Sequence, residues 1–401
     1  MKELSRIVSV VFDGRISATL EDKKNMKKTI KTYPVHKHQY KYLYSKMLNK
    51  DLIRTAFFKM RKGKTKRKGI IKISNNLDYY VDFMYDMLLN SIPDAEHPER
   101  GFDPPQHNPM IIIEHGKERK IYIPSTIEQW VHHIIMQVLT PILLKMFHPD
   151  SYGSIPNKGL HKGAKKVLKY RHNNKYMFKF DVRHFFGSVR LDILEKKLRE
   201  FIADEWFIHI IMLCYKWHSK GLPLGFYISQ WLSNLYLNDL DYLIEHGGFQ
   251  HVRYVDDIVI FGNNKRKIRR CFGKVKKLLG RDRLVTKGNH HLYLSAKESL
   301  SFLGFIFTTT QVRLRKKLAK NISTVAKRIG KAIENKRPIW IKDARGLLSY
   351  MGWIKHSDGY SFYLLNVKPF VIIRKLKRII GRRDKDDKMD FGNIGSFAYA
   401  A

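Results

Sequence analysis

Residues 251–262 read HVRYVDDIVIFG, two adjacent aspartates between two short runs rich in apolar and β-branched residues. Runs of this kind form strands. A pair of charges between them is tolerable only at the end of a sheet, so the stretch predicts a hairpin that turns at Asp256 and Asp257 and holds one or both carboxylates there. Taken alone, Asp-Asp is better explained as a polar turn. A second strand tips the balance. In NKYMFKFDVRHFFGSV, Tyr176, Phe178 and Phe180 alternate with Met177, Lys179 and Asp181, which puts Asp181 at a strand end on the face opposite the aromatics. The following DILEKKLREFI predicts a helix with Asp192 as N-cap, Glu195 three residues on, and Leu194, Leu198, Phe201 and Ile202 along one face.

Asp181 and Asp256 brought to one partly dry corner repel each other unless a cation neutralises them or one takes up a proton. Hard carboxylate oxygens, together with water and substrate phosphates, suit Mg²⁺, with Mn²⁺ as a substitute. Two such ions stabilise the attacking and leaving oxygens of phosphoryl transfer. The charge balance points the same way. The chain has 401 residues, with 76 Lys and Arg against 36 Asp and Glu, a net charge of +40 that calls for a polyanionic partner. Basic runs such as 61–69 and 374–385, interleaved with 12% aromatics, suit phosphate contact plus base stacking. A membrane-surface protein or a basic scaffold is the competing reading of charge alone.

Cys214 and Cys271 are the only cysteines, so no disulfide framework is expected. No apolar run reaches the roughly 18 residues that a membrane span needs, and MKELSRIVSVVFDGR does not read as a signal peptide. The expectation is a soluble cytoplasmic protein. Cys214 and His218 lack a second pair at zinc-ligand spacing.

Along the chain, 36–62 and 76–92 carry helical spacing and 91–109 is a Pro-rich loop. Residues 110–124 read as strand, tight turn at Gly116, strand, and are followed by a long apolar helix. From 150 to 310 short strands alternate with helices, predicting a mixed sheet covered by helices on one face. From 311 on the pattern is helical and basic.

Five segments in order, FKFDVRHFFGSV, GLPLGFYISQWLSNLYLNDLD, YVDD, LYLSAKES and FLGF, resemble the successive palm motifs of a reverse transcriptase, over about 110–310. The resemblance implies an α+β right-hand polymerase. Its parts would be a helical basic extension (1–109), fingers (110–175), a split-βαβ palm whose antiparallel sheet carries the YVDD hairpin (176–310, a fingers insertion fitting within 192–220), a helical basic thumb (311–385) and a weakly ordered tail (386–401). It implies RNA-directed DNA synthesis with two Mg²⁺ ions, on an RNA template with a DNA or RNA primer and dNTPs. An accessory protein would be compatible with a retroelement enzyme.

The same resemblance makes Asp181, Asp256 and Asp257, with the Val182 backbone, the metal ligands. Phe186 is the aromatic gate against a ribose 2′-hydroxyl, with Phe185 in the core. Lys158, Arg119 and Lys120 are candidate phosphate contacts. Leu224, Gly225 and Gln230 line the nucleotide, Gly225 by allowing close backbone approach. Lys297 protonates or neutralises the leaving pyrophosphate, and Tyr254, Phe302, Leu303 and Gly304 meet primer and template. Leu224 and Gln230 depart from the Gln and Pro of retroviral and group II intron enzymes. The Gly-x-x-x-Ser-Gln form is similar to enzymes of diversity-generating retroelements, and some antiphage-defence reverse transcriptases share these features.

Overall fold

The computed structural model describes residues 39–114 and 117–389. The predicted turn at Gly116, the first 38 residues and the tail from residue 390 lie outside the described residues. The named strands pair antiparallel, in a β1-β2 hairpin (Met110–Glu114, Lys117–Ile121), a four-stranded sheet and a three-stranded sheet, and Ser151 adds an isolated parallel bridge to Arg253. The four-stranded sheet has the order β4-β5-β3-β6, with β3 Tyr176–Asp181, β4 Gln250–Tyr254, β5 Asp257–Gly262 and β6 His291–Leu294.

The four named strands pair antiparallel, as the resemblance implies, but the sheet is covered on both faces where one covered face was expected. Alternation along β3 explains why. Phe178 and Phe180 point to one face, where they meet Phe272 of the Lys265–Arg281 helix at ring-centroid distances of 4.6 and 5.1 Å. Burying each phenyl ring contributes about 1.5–3 kcal/mol. Met177 points to the other face, into a second core with Val252, Val259 and Phe261 of the sheet, Ala164 and Val167 of the Leu160–Asn173 helix, and Phe302, Phe305 and Phe307. Those three phenylalanines belong to the β7-β8-β9 sheet (Leu300–Phe302, Phe305–Phe307, Val312–Leu314). Covered on both sides, β5 is apolar at consecutive positions from Ile258 to Phe261 instead of alternating.

The first core also takes in the Thr126–Met146 helix, begun by a capping box of Ser125 and Glu128, and the N-terminal helices Lys50–Arg61 and Leu77–Leu89. A third core joins the helices Lys316–Glu334, Ile341–Lys355 and Ile373–Met389 through Ile322, Ile329, Leu347 and Leu376. The helix predicted to start at Asp192 is Leu191–Arg199, with Arg190 as its N-cap. Leu191 is buried, and the N-cap stands two residues earlier than expected. Asp192 falls in the first turn, where the Arg190 side chain donates to it at 3.0 Å and holds its carboxyl below the usual range. No helix among the described residues is long and apolar enough to cross a membrane.

Candidate active site

Asp181 is the last residue of β3 and pairs in register with Asp257, the first residue of β5. The hairpin turn is Val255-Asp256, one residue earlier than expected, because Tyr254 and Asp257 already pair across it. Val182 N–H donates to the Asp256 carbonyl at 3.2 Å. Three carboxylates from two distant segments therefore sit at one corner of the sheet.

Their titration shows the electrostatic cost. Burial, and then the Asp181 charge, push the Asp256 carboxyl up, while Lys287 and Arg119 act in the opposite sense. Asp257 is pushed up to about 6, first by burial and then by Asp181 and Asp256 against the opposing pull of Lys179. Two lysines partly compensate: Lys287 Nζ lies 3.1 Å from Asp181, and Lys179 Nζ lies 3.2 Å from Asp257.

No group of three His, Cys, Asp or Glu side chains among the described residues is arranged as a metal cage. A corner of repelling carboxylates fits a cation of the Mg²⁺ kind, which takes one or two carboxylates and completes its shell with water and substrate phosphates.

The turn is held in a strained shape. Val255 has φ +58°, a left-handed conformation that costs a β-branched residue about 1–3 kcal/mol. Two braces hold it. Gly153 packs so closely that a Cβ there would lie 2.6 Å from Val255 Cγ2 and 2.7 Å from its nitrogen. Arg253, fully buried on β4, donates to the Val255 carbonyl at 3.1 Å and to Asn234 Oδ1 at 3.0 Å. Its guanidinium grips Asp241 through Nε at 2.8 Å and Nη2 at 2.6 Å, and His251 lies 3.0 Å from the same carboxylate. Asn234 in turn donates to the Gly153 carbonyl at 2.8 Å, closing the frame.

Sequence reasoning passed over this network. Its signal was present: two basic residues alternating with valine in an apolar strand must have a buried partner.

Several expected site residues stand elsewhere. Lys297 follows β6, and β6 runs antiparallel to β3 with Leu294 opposite Tyr176. It therefore lies beyond the far end of β3, roughly 16 Å of strand from Asp181. Lys287, before β6, is the lysine at the carboxylates, and its N–H also donates to the Asp181 carbonyl at 2.8 Å. Lys158 is spent on the framework, donating to the carbonyls of His148 at 3.1 Å and Pro149 at 2.8 Å. Of the fingers pair, Arg119 acts on Asp256, whereas Lys120, the next residue on β2, faces the other way.

Gly225 has φ +109°, and a Cβ there would meet the Tyr122 carbonyl at 2.1 Å. The close approach seen here is to the chain leaving β2, fixed by Tyr122 N–H donating to the Leu224 carbonyl at 2.8 Å. Gly304, φ +82°, likewise makes room for the Trp353 indole, 2.8 Å from where its Cβ would be. Phe302 is fully buried and Leu303 nearly so, so these side chains belong to the core and do not face a primer. Tyr254 is half-buried beside the turn, Gln230 is exposed on the first turn of the Tyr227–Tyr236 helix, and Leu224 is half-buried. Phe185 is core, while Phe186 is half-buried with its carbonyl accepting from Leu222 N–H at 2.7 Å.

Comparison with known proteins agrees with this architecture. The family model described as reverse transcriptase (RNA-dependent DNA polymerase) matches residues 105–307. The chain is 25% identical over 248 residues to an uncharacterised 91 kDa protein in the cob intron of Schizosaccharomyces pombe, matching 58% of this chain but only 30% of that protein's length. It is 23% identical over 291 residues to the retron Ec73 reverse transcriptase of Escherichia coli, covering 66% of this chain and 87% of that one. Among solved structures, a telomerase from Candida albicans aligns with 67% of this chain and 55% of its own, at 13% identity and a TM-score of 0.41. With more than half of its residues matched, and with its carboxylates at the corner of an antiparallel sheet, the chain belongs to the reverse transcriptase family.

Proposed function

We propose that the protein is an RNA-directed DNA polymerase: a primer 3′-hydroxyl attacks the α-phosphate of a dNTP, a new P–O bond forms, and the bond to pyrophosphate breaks. The observation that carries this reading is the register of Asp181 against Asp257 with Asp256 in the adjoining turn. Asp181, Asp256 and the Val182 carbonyl would hold two Mg²⁺ ions, whose chemistry is to lower the pKa of the attacking hydroxyl and to neutralise charge on the α-phosphate. Asp257, paired with Lys179, supports the corner from behind. Arg119 approaches from the fingers side as a phosphate contact, and Lys287 neutralises the leaving pyrophosphate. The strained, braced turn keeps the carboxylates in place before substrate arrives, so little reorganisation is needed during the reaction.

Two outcomes test the assignments. Lys287→Ala is expected to lower kcat by roughly 10²-fold, with Lys297→Ala remaining within about twofold of the parent; the reverse order would move the leaving-group role to Lys297. Phe186→Ala is expected to raise incorporation of GTP relative to dGTP on an RNA template by about tenfold or more, since the ring excludes the 2′-hydroxyl by contact. An unchanged GTP to dGTP ratio would remove Phe186 from sugar selection.

The 87% coverage of the retron enzyme favours a template that is a dedicated noncoding RNA. The Gly225-x-x-x-Ser229-Gln230 form supports the other reading, a diversity-generating retroelement. A template and variable repeat beside a target gene in the flanking DNA would decide for the latter.

A further inference from the structure

We propose that the outer face of the Lys265–Arg281 helix is a docking surface for duplex segments of the template RNA, separate from the catalytic cleft. The helix covers the Phe178 and Phe180 face of the sheet, and Lys179 and Asp181 point to the opposite face. Nine of its 17 residues are Lys or Arg and none is Asp or Glu. Arg281 pairs with Asp239 and Asp282; among the described residues the other eight form no ion pair.

A face that serves only for solubility interleaves signs, as the Leu191–Arg199 helix does with Asp192 and Glu195 among its basic residues. The Lys265–Arg281 helix instead stacks like charges four residues apart, Lys265 with Arg269, Arg266 with Arg270, and Arg270 with Lys274. Such pairs destabilise a helix. It also puts three cations in its first turn, the end at which the helix dipole repels them. A polyanion lying along the face relieves both strains.

The chemistry of the surface narrows the partner. The helix's aromatic, Phe272, packs against the sheet, so the outer face of the helix itself carries no ring for an unpaired base to stack on. Contact is to phosphates, which suits a duplex held without regard to sequence. Between the helix and β6 runs a groove of ≈ 520 Å³ whose lining includes Arg269, Lys276, His290 and His291 beside Phe178 and Phe272. The occupant is taken to be RNA because the polymerase reading supplies a structured template, and on that reading the proposal rests.

The test is binding of a blunt RNA hairpin of about 20 base pairs, with the cleft filled by excess short RNA/DNA primer–template. For the exposed quadruple variant Arg266→Gln, Arg270→Gln, Lys274→Gln, Lys277→Gln, hairpin affinity is expected to fall about 10- to 100-fold. The slope of log affinity against log salt should shrink by up to about 3.6, near 0.9 per lost phosphate contact. Primer extension should stay within about twofold. Unchanged affinity and slope, or a parallel loss of primer extension, would each overturn the proposal. If the quadruple variant does not fold, Arg270→Glu alone carries the same comparison. A parent protein that extends no primer but loses hairpin binding on substitution would sink the polymerase reading and leave the duplex surface standing.

Discussion

Asp256→Ala is expected to reduce primer extension on an RNA template by at least about 10³-fold, while affinity for that template stays within about twofold. The carboxylate sits in the turn between β4 and β5, half-buried and raised in pKa by burial and by Asp181, so the folded chain gains nothing from its charge at neutral pH. Removing it should therefore leave the melting temperature unchanged or raise it, as happens where a site is organised for chemistry at the expense of stability. A fall of several degrees would mean that Asp256 holds the turn together. Retained polymerisation would end the two-metal reading, and lost RNA binding would point to a scaffold role for the corner. Asp181→Ala should behave alike in activity, although it also frees the Lys287 ammonium now 3.1 Å from its carboxylate.

That the three carboxylates share one corner was legible in sequence because period-2 alternation states which face each residue takes, and because a charge inside an apolar run has few places to go. Asp181, at the end of an alternating strand, and the DD pair between apolar runs are both of this kind. What alternation cannot supply is partnership. Lys287 and Lys297 both flank β6, ten residues apart, and only the antiparallel register of β6 on β3 tells which of them arrives at Asp181. Gly225 and Gly304 were read as points of close approach, with their neighbours in the fold unforeseen. Each makes room for another part of the same chain, Tyr122 and Trp353 respectively, and a tertiary contact of that range leaves no local mark. Lys158 failed for a related reason: a basic residue in a loop looks free for phosphate until two carbonyls of its own fold are found to occupy it.

The largest expected loss of stability is at the frame behind the turn. Asp241→Asn leaves the Arg253 guanidinium buried without its counter-charge, and breaking a buried pair in this way costs about 3–5 kcal/mol. At about 2–4 °C per kcal/mol for a unit of this size, the melting temperature should drop by roughly 6–20 °C. The pH dependence of the pair has a definite sign. Burial alone would push the Asp241 carboxyl up, but Arg253 and His251 outweigh it and hold it well below the usual range. Its contribution is therefore complete above the ordinary carboxylate pKa of about 4 and is lost only as pH falls through the depressed value. The parent and Asp241→Asn melting curves should accordingly run parallel between neutrality and pH 5 and converge in stronger acid. The double variant Asp241→Leu/Arg253→Met removes both charges at once and should recover most of the lost stability. It should not recover activity: with no donor to the Val255 carbonyl and Asn234, the left-handed turn relaxes and Asp256 drifts from Asp181. A kcat at least about tenfold below the parent with little change in KM for dNTP is expected of that folded protein. Parent-like turnover by the double variant would show that Arg253 stabilises the palm without positioning its carboxylates.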